Sequence, residues 1–271
     1  MAGRRGEGGR PPHGGRRGPG GRKPGGRGRA EANAGPDWIV GVHAVAAVLR
    51  ETPQRIRTLH VWASQGQQLL DEARAAGVTV RTDQPDEFAI DAHLVQGVAA
   101  RVNPYGYTPL DELLPLPVDG GGLLVALDSV TDTRNLGAIL RSAGFFAVNG
   151  VIVPRDRAAA VTPVTERIAR GGAAVVRVAQ VTNLSRALAK IGDAGWTIVG
   201  TALDDTDGSL WHEPLTGPTC LVLGAEDKGM RRLVRAQCQR VVSLEPLAPV
   251  QSLNVASFAT LAMAEVRRQQ R

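Results

Sequence analysis

Long apolar runs are missing from this 271-residue chain. No stretch approaches the roughly 18–20 consecutive apolar residues that a membrane-spanning helix needs, so no membrane partner is expected. The basic N-terminus has no apolar h-region behind it, which argues against a secretory signal. Cysteine is scarce. Cys220 and Cys238 are the only two, and their spacing is unlike that of a metal site. Both read as reduced core thiols of a cytoplasmic protein, with no metal bound. The glycine-bearing turn at 221–231 is neither a G-x-G-x-x-G fingerprint nor a phosphate loop ending in Lys-Ser/Thr. A nucleotide-dependent oxidoreductase on a doubly wound sheet is therefore disfavoured.

Charge is present but unevenly placed. Residues 1–36 carry eight arginines and Lys23 against Glu7 and Glu31, a net +7 within a total of +6. The rest of the chain is therefore at −1, and the high isoelectric point describes the tail. That tail holds 13 glycines, has almost nothing to bury, and is expected to be disordered. Gly-Arg-rich segments bind RNA loosely through phosphate contacts. A plain solubilising extension is the competing reading.

Hydrophobic residues make up 43% of the chain, enough for a core. From Trp38 onward a small α/β unit is expected: helix at Gly41–Arg50, strand at Ile56–Ala63, helix at Gln65–Ala76 and strand at Val78–Arg81. A helical turn at Asp86–Asp91 and a strand at Gln96–Val102 complete it. This unit occupies 37–103. Residues 104–121, with Pro104, Pro109, Pro115 and Pro117, read as an extended linker.

Beyond the linker, 122–271 alternates short apolar runs with helical segments. Strands are expected at Leu123–Leu127, Val151–Val153, Val175–Val178, Thr197–Val199, Leu221–Leu223 and Val241–Leu244. Helices are expected at 136–147, 164–171, 183–192, 229–237 and 253–268. The pattern is that of an α/β protein with a parallel sheet covered on both faces. Ligands in such sheets bind outside the carboxyl ends of the strands.

Three segments at those ends carry unusual polar residues. In Asp128–Gly144, Asn135 sits where a helix N-cap would fall. The stripe Leu136, Leu140, Ala143, Ala147 faces the core, and Arg141 falls off it. In Leu221–Arg231 a strand ends at Leu223, and Gly224, which permits close approach to a ligand, follows before Glu226 and Asp227. In Val241–Glu265 a Pro-rich loop leads to Ser252 and Asn254, which open a final helix. Taken singly, each is accounted for by an ordinary cap, turn or solvated charge.

Together, N-L-G-A-I-L-R-S-A, L-G-A-E-D-K-G-M-R-R-L and S-L-N-V-A resemble the three motifs of the SpoU/TrmH family of RNA 2′-O-methyltransferases. The likeness spans nearly all of 38–268 and is closest to the branch that methylates a guanosine ribose in 23S ribosomal RNA. V-P-R-D-R at Val153–Arg157 adds to it. The resemblance implies a SPOUT fold: a trefoil-knotted, parallel-sheet methyltransferase domain preceded by a small RNA-binding domain like ribosomal protein L30e. It also implies S-adenosylmethionine (SAM) as methyl donor, a homodimer, and RNA as partner. Asn135, Arg141, Glu226, Ser252 and Asn254 match the catalytic motif positions. Thr201, Ala202, Gly224, Leu244 and Leu253 match cofactor contacts.

A ribose 2′-hydroxyl is a very weak acid, so an oxyanion stabiliser is needed as it attacks. Arginine is normally always protonated, which favours that role for Arg141 over proton removal. One stretch departs from the family. Its usual I-P-M-x-G loop reads Leu244-Glu245-Pro246-Leu247-Ala248-Pro249 here, which touches the adenine side of the pocket. A tRNA 2′-O-methyltransferase and a noncatalytic RNA-binding or ribosome-assembly protein are the alternatives.

Overall fold

The computed structural model describes residues 37–85, 95–117, 121–204, 206–247, 249 and 252–271. The basic tail, the turn at Asp86–Asp91, residues 118–120 of the linker and Ala248 lie outside the described residues. What is described belongs to one compact unit, Ala32–Arg271.

The first lobe contains β1 (Trp38–Val40), α1 (Val42–Glu51), β2 (Ile56–Val61), α2 (Leu69–Ala75), β3 (Val80–Arg81) and β4 (Val98–Val102). Its sheet runs β1-β4-β2-β3. Strand β4 is antiparallel to both neighbours, and β3 is parallel to β2. Ala44, Val45, Val48 and Leu49 place one face of α1 against Ile39, Leu59, Val61 and Ala100. Strand β1 was not anticipated, because three residues are too few to show a period. The helix expected from Gln65 starts as a 3-10 turn at Ser64–Gly66 and becomes α-helical only at Leu69.

The segment after β4 lies along the second lobe. Tyr105 and Tyr107 pack on that lobe's core, and Leu113 is fully buried. The Val161 amide donates to Tyr107 Oη at 3.0 Å.

The second lobe contains β5 (Leu123–Leu127), α3 (Thr133–Phe145), β6 (Gly150–Pro154), α4 (Pro163–Ala169), α5 (Gly172–Val175) and β7 (Val178–Val181). Then follow α6 (Leu184–Asp193), β8 (Thr197–Thr201), β9 (Gly208–Ser209), β10 (Thr219–Leu223), α7 (Arg232–Arg235), β11 (Arg240–Ser243) and α8 (Val255–Gln269). Seven parallel strands form one sheet in the order β7-β6-β5-β10-β8-β11-β9. Every residue of β5, β6 and β10 is buried, as expected where helices cover both faces. Alternate residues of β5 enter opposite cores: Leu123, Val125 and Leu127 on one face, Leu124 and Ala126 on the other.

Some boundaries differ from expectation. Val175 ends a short helix, and the strand starts only at Val178. Brief Ala/Val runs do not distinguish helix from strand by periodicity. The helix expected at 229–237 shrinks to α7, because Gly229 (φ +62°) and extended Arg231 precede it. Ala147 leaves the apolar stripe, since α3 ends at Phe145 and Ala147 turns left-handed and exposed.

A buried ion pair joins the lobes. Arg55 Nη1 and Nη2 donate to Glu166 Oε1 and Oε2 at 2.7 and 3.1 Å, with side chains only 11% and 3% exposed. The Arg55 guanidinium also lies 5.2 Å from the centre of the Tyr105 ring. Burial, and next the Glu166 charge, push the Tyr105 hydroxyl up from its usual range. Close by, Gly171 adopts φ +100°, and a Cβ there would stand 2.7 Å from Ala47 of α1.

Candidate active site

The strand order changes direction between β5 and β10, and the loops leaving β8 and β10 open a cavity of about 340 Å³ at their carboxyl ends. Parallel sheets place ligand sites at such points. Thr201 and Ala202 line it from the end of β8, and Gly224 and Glu226 from the end of β10. Ser252 and Leu253 line it from the approach to α8.

The loop after β10 is held in shape from within. Ala225 and Gly229 exchange backbone hydrogen bonds of 3.2 and 2.8 Å. A Cβ at Gly224 would lie 2.3 Å from the Gly229 carbonyl carbon and 2.4 Å from the Met230 nitrogen. The glycine is therefore required by the loop folding onto itself, whereas the sequence pointed to a close ligand approach. Fully buried Asp128, at the end of β5, accepts from the Arg231 amide and from Arg231 Nε, both at 2.7 Å. This anchor was missed in the sequence, where Asp128 reads only as the start of a polar turn.

Helix α3 is capped by Asp132, whose carboxylate accepts from the Arg134 amide at 2.7 Å. Asn135 is consequently inside the first turn and not the cap. Its amide is free to meet Asn254, whose Nδ2 donates to Asn135 Oδ1 at 3.0 Å and, at 3.5 Å, to Glu226 Oε2. Asn254 is itself a helix cap: its Oδ1 accepts from the Ala256 and Ser257 amides at 2.9 and 3.4 Å. One residue from each motif thus meets at a single point beside the cavity.

Two assigned residues stand elsewhere. Leu244 is half-buried against the lobe's core and does not line the cavity. Arg141 also does not line it. Six residues along α3 from Asn135 amount to about 240° of rotation, so the two side chains leave different faces. Arg141 is exposed and lines a second cleft, between the lobes. Thr201 spends its hydroxyl on the Val222 carbonyl at 3.1 Å, so the hydroxyl serves the fold first.

Residues not assigned to the site from the sequence also line the cavity. Leu203, Val255 and Phe258 are apolar, Asp204 and Asp227 are acidic, and Lys228 and Arg235 are basic. Leu203 and Leu253 are 57% and 47% exposed. This mixed set fits SAM: apolar surface for a flat purine, carboxylates for ammonium and sulfonium, and cations for a carboxylate.

Residues 122–264 match the SpoU rRNA Methylase family, and residues 38–108 match its partner domain, described as RNA 2′-O ribose methyltransferase substrate binding. The chain belongs to the SpoU family. The 23S rRNA (guanosine-2′-O-)-methyltransferase RlmB of Pseudomonas aeruginosa is 42% identical over 244 residues, covering 85% of this chain and 96% of that relative. RlmB of Pseudomonas syringae pv. tomato is 41% identical over 243 residues, with 85% and 95% covered. Among solved structures, the SpoU methyltransferase AviRb from Streptomyces viridochromogenes, in complex with the cofactor AdoMet, aligns with a TM-score of 0.72 at 26% identity. That alignment covers 86% of this chain and 90% of AviRb.

Proposed function

We propose that this SpoU-family protein transfers a methyl group from SAM to the ribose 2′-hydroxyl of a guanosine in 23S rRNA. One observation carries the reading: Asn135, Glu226 and Asn254, from three distant motifs, meet at the edge of a cavity suited to SAM.

SAM supplies an electrophilic methyl on a sulfonium. Thr201, Ala202, Gly224, Leu253, Glu226 and Ser252, which line the cavity, would hold it. The Asn135–Asn254–Glu226 chain fixes the cavity lip before any ligand arrives, so little reorganisation remains during the reaction. Arg141 reaches the acceptor from the RNA side. Its guanidinium would stabilise the 2′-oxygen as that oxygen takes the methyl from the sulfonium, leaving S-adenosylhomocysteine as the neutral thioether, and releases its proton to water.

Residues 37–103 present the RNA, 104–121 connect, and 122–271 hold the chemistry. The insertion of β10 between β5 and β8 supports a threaded C-terminus, the trefoil expected of the family. Exposed Phe145 and Val175 share one hollow and support pairing of two copies. Among the described residues no helix is long and apolar enough to cross a membrane, and a cytoplasmic location follows from the rRNA substrate.

The test is radiolabelled methyl transfer from SAM to unmethylated 23S rRNA, with the modified position mapped. Label on one guanosine ribose is expected. Label in tRNA instead would move the substrate, and no label would leave a noncatalytic RNA-binding protein.

A further inference from the structure

The second cleft, of about 420 Å³, lies between the lobes. Val40, Gly41, His43, Ala44 and Gln96 line one wall, and Arg141, Arg167, Ile168 and Arg170 the other. Its three guanidinium groups form no hydrogen bond or ion pair with any described residue. The nearest acid on the same helix, Glu166, is already committed to Arg55. The chain beyond residue 36 carries a net charge of −1, so this concentration of positive charge is local and not a general basicity.

The wall opposite adds donors. Gly41, at the N-cap of α1, has no side chain to cap it, so the positive end of the helix lies at the cleft with only Gln96 closing its first amide. Gln96 uses its Oε1 to accept from the Val42 amide at 3.2 Å, which leaves its amide nitrogen as a donor. Gln96 and Arg170 both hold left-handed backbone, at φ 51° and 46°. Such conformations are uncommon outside glycine and persist only where the surroundings fix them.

Resting on the RNA-methylation reading, we propose that this cleft seats a phosphodiester of the substrate RNA, held by Arg167 and Arg170 with His43 and Gln96 opposite. A paired guanidinium and phosphate share planar, bidentate geometry. Asn135 and Arg141 lie six positions apart on α3, about 9 Å along its axis. A strand whose phosphate sits in the cleft therefore brings a neighbouring ribose toward Arg141 and the cofactor cavity. The substrate-binding lobe thus acts with the catalytic lobe in gripping the backbone and does not merely tether the RNA.

The test uses the full chain and a 23S rRNA transcript, with affinity measured across a salt series. The R167Q/R170Q double variant should bind at least about tenfold more weakly at 0.1 M salt, the scale of one charge-assisted hydrogen bond. The slope of log affinity against log salt should fall by roughly 1.5–2. SAM affinity by calorimetry should stay at the wild-type value. The R167K/R170K variant should regain most of the slope, which a folding defect would not allow. Unchanged affinity and slope in the glutamine variant would overturn the proposal, as would loss of both in the lysine variant with folding intact. A wild-type chain that binds the transcript with the expected slope but transfers no methyl would sink the enzymatic reading and leave the cleft standing.

Discussion

The cavity at the strand ends and the cleft between the lobes treat polar groups in opposite ways. Beside the cavity, assigned polar groups are already bonded to one another, Asn254 to Asn135 and Glu226, and the adjoining loop is anchored by Asp128 to Arg231. In the cleft, Arg141, Arg167 and Arg170 are left without partners among the described residues. A small, defined donor is best served by a preset frame. A polyanion needs uncompensated charge, and water fills that role until it arrives. The cavity belongs to one lobe, whereas the cleft exists only because two lobes are locked together.

That contrast is most exposed to the Arg55–Glu166 pair. Arg55→Ala leaves a buried carboxylate unpaired and should cost about 3–5 kcal/mol, read as a lower melting temperature. RNA affinity should fall with it, while SAM affinity at a temperature where the chain is folded should hold. Equal loss of both ligands would erase the division between the two sites.

Next in size is Arg141→Ala. Methyl transfer should drop by at least ~10²-fold, the usual scale for losing an oxyanion donor. Wild-type turnover would remove Arg141 from the chemistry.

Asn254→Ala acts on the cavity side. Losing the cap of α8 should cost about 1 kcal/mol of stability in denaturant unfolding. The lip then loses its link between Asn135 and Glu226, so turnover should fall too. A variant with intact turnover would show that the preset frame is dispensable.

The smallest effect concerns the thiols. Cys220 is fully buried within β10, and burial pushes the Cys238 thiol up to about 11. Both should stay protonated and resist iodoacetamide at neutral pH, with Cys238 reacting only as pH climbs toward that value. SAM should not alter this, since neither thiol lines the cavity. Rapid alkylation at neutral pH would mean that the lobe opens readily.

Much of this was legible in the residues. The parallel sheet announced itself through fully apolar five-residue runs such as Leu123–Leu127, and the three motifs pointed to loops that do converge. Short-range signals went astray where two local solutions compete. Asp132 took the cap assigned to Asn135, because both side chains favour that position and only the neighbouring turn decides. Gly224 looked like ligand clearance but accommodates its own loop. The cleft could not be read at all. Arg167, Arg170 and His43 carry no shared pattern in the sequence, and only the docking of one lobe on the other assembles them.

The most direct check of this separation is calorimetric titration of SAM into wild type, Arg141→Ala and Asn254→Ala side by side. Arg141→Ala should match wild type, and Asn254→Ala should bind about tenfold more weakly, the equivalent of one lost hydrogen bond. Equal weakening in both variants would merge the two sites and contradict the account.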